Sequence, residues 1–417
     1  MSGNLYLRPG WYDERRLSSV LHRPWRTTAF WIASGSLVIW LLFYRYFATA
    51  SARDPTSYFF DTQKGYQRKY SLEREKQGYN HIESLNATGA SPTSSIQPGM
   101  CIGIATIARP SSEQYVRGTI GSLLEGLSEE QRASIHLITF IAHTDPDAHP
   151  IYHEPWLKAV SNKILTYDTA GKDMPQLRMY EEEHHPRNKS MYDYGYLLNS
   201  CLETGAKWVT IVEDDVVARA GWFGLAMSSL QTIQTKMQSN PWLYMRIFYT
   251  EGLLGWNSEE WPTYAGVSLT IFLLSIAGIV SLQARSPLLR RNLSNFDIGL
   301  ICCGCLPAFI ILYFMAGRMT MRPLTPGVRL MPRFGCCSQG FIFPREIVPK
   351  VIERTKQAMY EDYYIDMLFE RYAEKEHLPR FAIFPSLLQH VGSKSSKGWG
   401  YDEHAGEIFN FAFESYS

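Results

Sequence analysis

Residues 207–217 read KWVTIVEDDVV, a run of apolar and β-branched residues that leads into three consecutive carboxylates, Glu213, Asp214 and Asp215. Short apolar runs of this composition are typical of buried β-strands. The acids follow the apolar run directly. The sequence therefore predicts a buried strand whose carboxyl end carries a concentrated negative charge.

The segments around this strand predict an α/β fold. CIGIATIA at residues 101–108, IHLITFIA at 135–142 and KILTYD at 163–168 have the pattern of further strands. SMYDYGYLLNSCLETGA at 190–206 is typical of a helix that stops at Gly205. Strands that alternate with helices predict a parallel sheet, and such sheets bind ligands at the carboxyl ends of their strands.

The acidic triplet has two interpretations. Acids at a strand end can cap the next helix and interact with its positive amino terminus, which accounts for one or two of them. Three adjacent carboxylates repel one another unless a cation neutralises them. Mg²⁺ or Mn²⁺ takes few carboxylate oxygens and keeps coordination positions for phosphate. We therefore predict a divalent metal site here, with helix capping as the alternative.

Composition bounds the class of protein. The chain has 417 residues, enough for a sizeable core, and its formal net charge is only +1. Nucleic-acid-binding proteins carry a marked excess of basic residues, so nucleic acid is not an expected partner. Function must therefore be inferred from individual segments.

The first of three uncharged apolar runs, residues 27–44, is long enough to cross a bilayer. Five arginines precede it, so the positive-inside rule predicts a cytosolic amino terminus and a lumenal remainder. A cleaved signal peptide is the alternative, although the long leader favours an uncleaved signal anchor.

Two further apolar runs, residues 265–282 and 298–317, are each near 20 residues long. The connector between them contains Arg285, Arg290 and Arg291, which favours a cytosolic loop. The pattern predicts a transmembrane hairpin inserted into a lumenal domain. A helical hairpin buried in a soluble core is the alternative.

The seven cysteines fall into two groups. Three lie in the third apolar run, and four lie in segments predicted to be lumenal: Cys101, Cys201, Cys336 and Cys337. Four lumenal cysteines allow up to two disulfides in three connectivities, and buried free thiols are the alternative. Because a bridge between adjacent residues distorts the chain, we expect Cys336 and Cys337 to bond elsewhere.

The whole pattern resembles a known enzyme class. The order CIGIATIARP, HLITFIAHTDP, YDYGYLLNSCLETGAKWVTIVEDDVV, CCSQGFIFPRE and YEDYYIDMLFERYAEKEHLPRFAIFPSLLQHVGSKSS is similar to a lumenal GT-A glycosyltransferase, a Rossmann-like α/β fold, over about three quarters of the chain. Parts resemble the N-acetylglucosaminyltransferase IV group, with its EDD element and QH-[IV]-G ending. The membrane hairpin inside the catalytic domain resembles the Golgi post-GPI-attachment GalNAc transferase family.

The apolar runs, the composition of the segments between them and the resemblance together predict a domain organisation. We expect a cytosolic tail at residues 1–26, a signal anchor at 27–47 and a lumenal stem at 48–97 that acts as a polar tether. The first GT-A half, with the donor and metal site, is expected at 98–263, and the second half, with the acceptor site, at 318–417. A membrane hairpin at 264–317, with a cytosolic loop at 283–297, is expected between the two halves. The family also implies a multi-pass protein of the Golgi membrane with a lumenal catalytic domain.

The resemblance further implies roles at the donor site. Asp215 matches the main metal ligand of a DxD-like element, with Glu213 or Asp214 near the ion or the ribose. His390 in LLQHVG is expected to complete the metal coordination. Arg109 and Lys394 are expected to help hold the diphosphate of the donor, most simply UDP-GalNAc with Mn²⁺ or Mg²⁺.

At the acceptor site the resemblance implies a general base for an inverting transfer. Glu361 and Asp362 match the family's xED element, with Asp362 preferred and Glu361 and Asp366 as rivals. Acids at a helix start also stabilise the helix, which is the structural alternative.

The expected reaction adds GalNAc to the mannose core of GPI anchors. A membrane hairpin in the catalytic domain favours a lipid-borne acceptor, because confinement at the membrane raises its effective concentration. The alternatives are a transferase that acts on N-glycans or glycolipids, and a non-catalytic membrane adaptor with a GT-A-like domain.

Overall fold

The computed structural model describes residues 28–88, 97–109, 114–331, 336–359, 361, 363–392 and 408–415. The strands in this part of the chain are β1 (Met100–Thr106), β2 (Ile135–Ile141), β3 (Lys163–Leu165), β4 (Trp208–Glu213), β5 (Val216–Ala218), β6 (Tyr244–Arg246), β7 (Gly327–Leu330), β8 (Gly340–Pro344), β9 (Arg380–Phe384) and β10 (Leu388–His390). The predicted strands around residues 101, 135, 163 and 208 are thereby confirmed.

The α-helices in the same part of the chain are α1 (Thr28–Ala50), α2 (Thr62–Gly65), α3 (Tyr70–Thr88), α4 (Val116–Leu124), α5 (Glu129–Ala133), α6 (Pro155–Val160), α7 (Met174–Glu182), α8 (Pro186–Glu203), α9 (Trp222–Met237), α10 (Trp261–Arg285), α11 (Pro287–Asn292), α12 (Asn295–Leu300), α13 (Leu306–Met315), α14 (Arg318–Met321), α15 (Val348–Ala358) and α16 (Ile365–Lys375). A π-helical turn, Ile301–Cys305, joins α12 to α13.

One sheet organises the globular part of the protein. Its strand order is β3-β2-β1-β4-β8-β6-β9-β7, and β3, β2, β1 and β4 run parallel. β8 is antiparallel to both β4 and β6. The predicted parallel sheet is therefore confirmed for its first half. Ala105 near the end of β1 pairs with Glu213 at the end of β4, so the carboxyl ends of the two central strands meet.

Helices cover both faces of this sheet. Ile102 and Ile104 of β1 pack with Ile120 of α4 in one buried cluster. Cys101 belongs to the cluster on the other face, with Leu198 of α8. Successive residues of a strand point to opposite faces, so the continuous apolar sequence of β1 reflects burial on both sides.

The disulfides differ from the expectation for adjacent cysteines. Cys101 of β1 bonds Cys201 of α8, with 5.6 Å between their Cα atoms. Cys336 and Cys337 bond each other, so the prediction that they bond elsewhere was wrong. The sheet explains this pairing, because Cys101 and Cys201 pack on one face and Cys337 belongs to the cluster on the other.

The chain divides into two compact units. One contains the described residues up to 52, residues 57–59 and residues 256–321, and the other contains the sheet and its helices, residues 53–56, 60–255 and 322–415. In the first unit the Trp40 indole of α1 donates a hydrogen bond to the Ala308 carbonyl of α13, at 3.0 Å.

The described part of the chain contains three helical segments long and apolar enough to cross a membrane. They lie within Thr28–Ala50, Glu251–Arg285 and Asn295–Met315. These segments coincide with the three apolar runs of the sequence. The signal anchor, the hairpin and their orientation stay predictions.

The interpretation of residues 48–97 as a polar tether was wrong for residues 70–88. These residues form α3, whose Ile82 is fully buried and whose Arg74 is 1% exposed. A Cβ added to Gly121 of α4 would lie 2.3 Å from the Gly78 carbonyl oxygen of α3. Because neither glycine has a side chain, the backbones of α3 and α4 come into contact at these two positions. The sequence of α3 is mostly polar, so its pattern does not predict that the helix packs against the core.

Candidate active site

The acidic triplet lies where two sheets meet. Glu213 ends β4, and the chain then turns at Asp214 and Asp215 into β5. β5 pairs in antiparallel register with β10, which places His390 opposite Val216. Residues far apart in the sequence thus come together at the carboxyl end of β4, where ligands of parallel sheets bind.

Asp214 is held by a dense set of hydrogen bonds. Arg109 donates from Nη1 to Asp214 Oδ2 at 2.8 Å and from Nη2 to Oδ1 at 2.7 Å. Thr106 at the end of β1 donates its hydroxyl to Asp214 Oδ2 at 2.6 Å. Because its side-chain oxygens are satisfied from within the protein, Asp214 supports the turn and leaves the adjacent carboxylate to face a ligand.

One carboxylate oxygen of Asp215 has no hydrogen-bond partner in the described part of the chain. Its Oδ2 lies 3.2 Å from Arg109 Nη2 and 3.5 Å from His390 Nε2. Its Oδ1 is buried, and among the described residues no group donates a hydrogen bond to it. A buried carboxylate oxygen without a partner costs free energy, so such an atom in a cleft points to a missing ligand. Gly392 packs against this carboxylate, since a Cβ there would approach Oδ2 to 2.4 Å.

The opposite charges of Asp215, His390 and Arg109 stabilise one another's ionised forms. Burial by itself would raise the pKa of Asp215, but the His390 imidazolium and the Arg109 guanidinium lower it to about 2. Burial would likewise lower the pKa of His390, whereas the Asp215 carboxylate raises it overall. Arg109 supplies part of the positive charge that the acidic triplet requires. Asp215 therefore remains ionised at neutral pH.

Glu213 points toward a different partner. The Ser338 hydroxyl donates a hydrogen bond to Glu213 Oε1. Ser338 follows the bonded pair Cys336–Cys337, and the Cys337 carbonyl accepts from the buried Arg246 at 2.9 Å. The segment before β8 thereby holds the Glu213 carboxylate in place.

A cleft of about 510 Å³ opens over the acidic turn. Its lining includes Ala105, Ile107, Arg109, Ala142, Ser190 and Asp193, together with residues 336–339, 364–367 and 408. Glu213, Asp214, Asp215, His390 and Gly392 line the same cleft. A larger cavity of about 700 Å³ lies between α15 and α16, but none of the predicted metal ligands lines it.

The predicted acceptor-site acids separate in space. Asp366 in the first turn of α16 lines the cleft. Glu361 lies outside it, where Arg354 Nη2 donates to its carboxylate at 2.9 Å. Asp362 and Lys394 lie outside the described residues. Of the described candidates for the base, the fold thus brings only Asp366 to the acidic turn.

The donor set fits a divalent ion that is shared with a phosphate. Asp215 offers Oδ1, and His390 lines the same cleft and would offer an imidazole nitrogen once an ion displaces its proton. Among the described residues, no group of three His, Cys, Asp or Glu side chains is arranged to hold an ion unaided. Mg²⁺ and Mn²⁺ typically take one or two protein ligands and complete their coordination with water and substrate phosphates.

Several site residues were missed by the sequence analysis. Thr106 and Ser338 bind the acids, and Thr119 of α4 donates its hydroxyl to the Asp214 carbonyl at 2.7 Å. The sequence contains a signal that could have identified Thr106 as a site residue, because it is a polar residue at the end of the apolar run that forms β1. Thr119 had none, since it lies on the buried face of α4 and resembles any small core residue.

The mixed α/β sheet with an acidic turn fits a Rossmann-like glycosyltransferase. The chain belongs to the family described as GPI-N-acetylgalactosamine transferase PGAP4, whose family model matches residues 100–389. It is also similar to alpha-1,3-mannosyl-glycoprotein 4-beta-N-acetylglucosaminyltransferase A of Gallus gallus, 23% identical over 200 residues. That match covers 42% of this chain and 35% of the relative, about a third of the relative's length.

Proposed function

We propose that this GT-A glycosyltransferase transfers GalNAc from UDP-GalNAc to a mannose of the GPI core in the lumen of the Golgi. The family supports the reaction, and the unpartnered Oδ1 of Asp215 in the cleft carries the assignment of the site. Asp215 and His390 would hold Mn²⁺ or Mg²⁺, which as a Lewis acid stabilises the departing UDP. Glu213, held by Ser338, would face the ion or the ribose.

The other side chains bind and orient. Asp214 fixes Arg109, whose guanidinium lies next to Asp215 and presents positive charge to the diphosphate side of the cleft. Lys394 is proposed to add a second cation for the diphosphate. The base that takes the acceptor proton is a carboxylate near the start of α16. Asp362 matches the family motif, and Asp366 is the described carboxylate that lines the cleft.

The acceptor is proposed from the order of the chain. The globular unit is interrupted after Gly255 and resumes at Arg322, and the intervening segment contains two of the helices long enough to span a membrane. Such an insertion tethers catalysis to the bilayer, which increases encounters with a glycan on a lipid. An N-linked glycan is the alternative acceptor, which the likeness to the chicken enzyme favours.

The test is mass spectrometry of GPI glycans from cells that lack the protein, restored with the wild type or with Asp215→Asn. We expect the wild type alone to restore a side-branch N-acetylhexosamine. Asp147→Asn, a change at an exposed acid paired with His153, is the control and should restore it fully. Unchanged GPI glycans in the deficient cells would refute the acceptor, and full restoration by Asp215→Asn would refute the site.

A further inference from the structure

Two large apolar side chains stand exposed at the side of the cleft. Tyr364 is 40% exposed and Met367 is 43% exposed, and both line the same cleft as Asp215. Asp366 lies between them in the sequence and also lines the cleft. Apolar and aromatic side chains that line a cleft together with a few polar groups are typical of ligand-binding pockets.

Arg187 holds the Tyr364 ring. Its guanidinium carbon lies 4.5 Å from the centre of the ring, and its Nη2 donates a hydrogen bond to the phenol oxygen at 3.0 Å. The ring is thus fixed by a residue from the first turn of α8, so little conformational entropy is lost when a ligand packs on it. Aromatic rings bind the C–H face of a sugar, and guanidinium groups donate to its hydroxyls.

Two groups of residues that line the cleft differ in chemistry. Arg109 and Asp215, which follow β1 and β4, suit a diphosphate and its ion. Tyr364, Asp366 and Met367, at the start of α16, combine apolar surface with one carboxylate. A neutral sugar whose hydroxyl must reach a base requires this combination.

We propose that Tyr364 and Met367 form the binding platform for the acceptor sugar, a mannose of a lipid-linked glycan, and that Arg187 positions the Tyr364 ring. The proposal rests on the proposed function and names the residues that recognise its acceptor. It expects the platform to contribute to acceptor binding and to leave donor binding unchanged.

The chain contains a matched control. Arg371 lies over the neighbouring Tyr363 ring, 4.2 Å from its centre, and bonds the phenol oxygen in the same manner. Tyr363 does not line the cleft, and Arg371 lines the separate cavity between α15 and α16. Tyr363→Ala therefore removes an equivalent stacked tyrosine from the same helix start without touching the proposed platform.

The experiment measures transfer by the full-length protein in detergent, with UDP-GalNAc as donor and a synthetic trimannosyl octyl glycoside as acceptor probe. We expect Tyr364→Ala to raise the acceptor KM about tenfold, the effect of losing one aromatic contact. Arg187→Ala and Met367→Ala should raise it by smaller factors. Tyr364→Phe should retain most of the wild-type affinity, and Tyr363→Ala should not change it. The donor KM should stay constant in all variants.

Four outcomes contradict the proposal in different ways. A raised donor KM with an unchanged acceptor KM in Tyr364→Ala would assign the ring to the nucleotide sugar. A fall in kcat and Tm with both KM values unchanged would show a structural role only. An unchanged acceptor KM in Tyr364→Ala, measured beside an active wild type, would refute the platform but not the proposed function. A wild type that does not glycosylate the mannosyl probe would refute the proposed function, and the platform with it.

Discussion

Arg109 and Asp214 form a buried two-armed ion pair, with nitrogen to oxygen distances of 2.8 and 2.7 Å. Arg109 follows β1 and Asp214 follows β4, so the pair ties the ends of the two central parallel strands together. The third contact of the guanidinium, 3.2 Å to Asp215, aligns the proposed metal ligand. Asp214 thus stabilises the turn, and the adjacent Asp215 is the carboxylate proposed to bind the metal ion.

Removal of Arg109 should destabilise the fold. Arg109→Met leaves the buried Asp214 carboxylate without its cation. Breaking a buried pair typically costs about 3–5 kcal/mol, so we expect a loss of about 3 kcal/mol in the free energy of unfolding. The measurement is chemical unfolding of the purified protein in detergent. Lys64→Met removes an exposed pair with Asp61 and should leave the stability almost unchanged, because solvent screens such a pair. Equal stability of both variants would show that the buried pair is dispensable.

His390 should tune the affinity for the metal ion. We expect EDTA to abolish transfer and Mn²⁺ to restore it, and His390→Ala to raise the Mn²⁺ concentration for half-maximal activity at least tenfold, because one of two protein donors is lost. A Mn²⁺ titration of transfer activity measures this. His153→Ala, at an exposed histidine paired with Asp147, is the control. An unaltered midpoint in His390→Ala would exclude the imidazole as a ligand.

The two described acids near α16 should respond differently to neutralisation. Asp366 lines the cleft, so Asp366→Asn should lower kcat by at least tenfold if it serves as the base. Glu361 is bound to Arg354 outside the cleft, so Glu361→Gln should keep at least half of the wild-type kcat. Asp362→Asn belongs in the same series, because a much larger loss there would assign the base to Asp362. A severe loss in Glu361→Gln would contradict the placement of this residue.

Glu251 should make stability depend on pH. Burial raises its pKa to about 7, although the Phe411 and Ala412 amides that bond its carboxylate oppose the shift. The folded state therefore binds more protons than the unfolded state between about pH 4.5 and 7. The free energy of unfolding should fall as the pH rises through this interval, by at most about 1.4 kcal/mol per unit.

The test of Glu251 is chemical unfolding in detergent between pH 4.5 and 7.5. Glu251→Gln keeps a carbonyl acceptor for the amides but cannot titrate, so its stability should vary less with pH than that of the wild type. Parallel curves for the two proteins would mean that other groups dominate the pH dependence.

The contact between α3 and α4 should tolerate no added methyl group. Gly121→Ala places a Cβ against the Gly78 backbone, which cannot move aside as a flexible side chain would, so we expect a loss of about 1–3 kcal/mol in stability. A Cβ added to Gly224 in α9 would have no other described heavy atom within 4 Å, apart from its chain neighbours and the backbone of its own helix. Gly224→Ala should therefore be neutral or stabilising by about 0.5–1 kcal/mol. Thermal unfolding of both variants decides, and equal Tm values would contradict the close packing.

The sequence by itself determined the α/β class, the parallel strands and the acidic turn at the end of β4. These features depend on local patterns, namely runs of β-branched residues and charges adjacent to them, which a strand displays whatever it packs against. The family could be recognised from the sequence for the same reason, because the motifs that carry the resemblance are short and contiguous.

Only the tertiary structure decided which acid has a free oxygen, that Thr106 and Ser338 hold the other two, and that Asp366 lines the cleft while Glu361 does not. It also decided that α3 packs on α4 and that Cys336 bonds Cys337. Each of these facts depends on the crossing of segments distant in sequence, or on which side of the sheet a residue lies. Such contacts arise from long-range packing, which produces neither a periodic pattern nor a compositional bias in the local sequence.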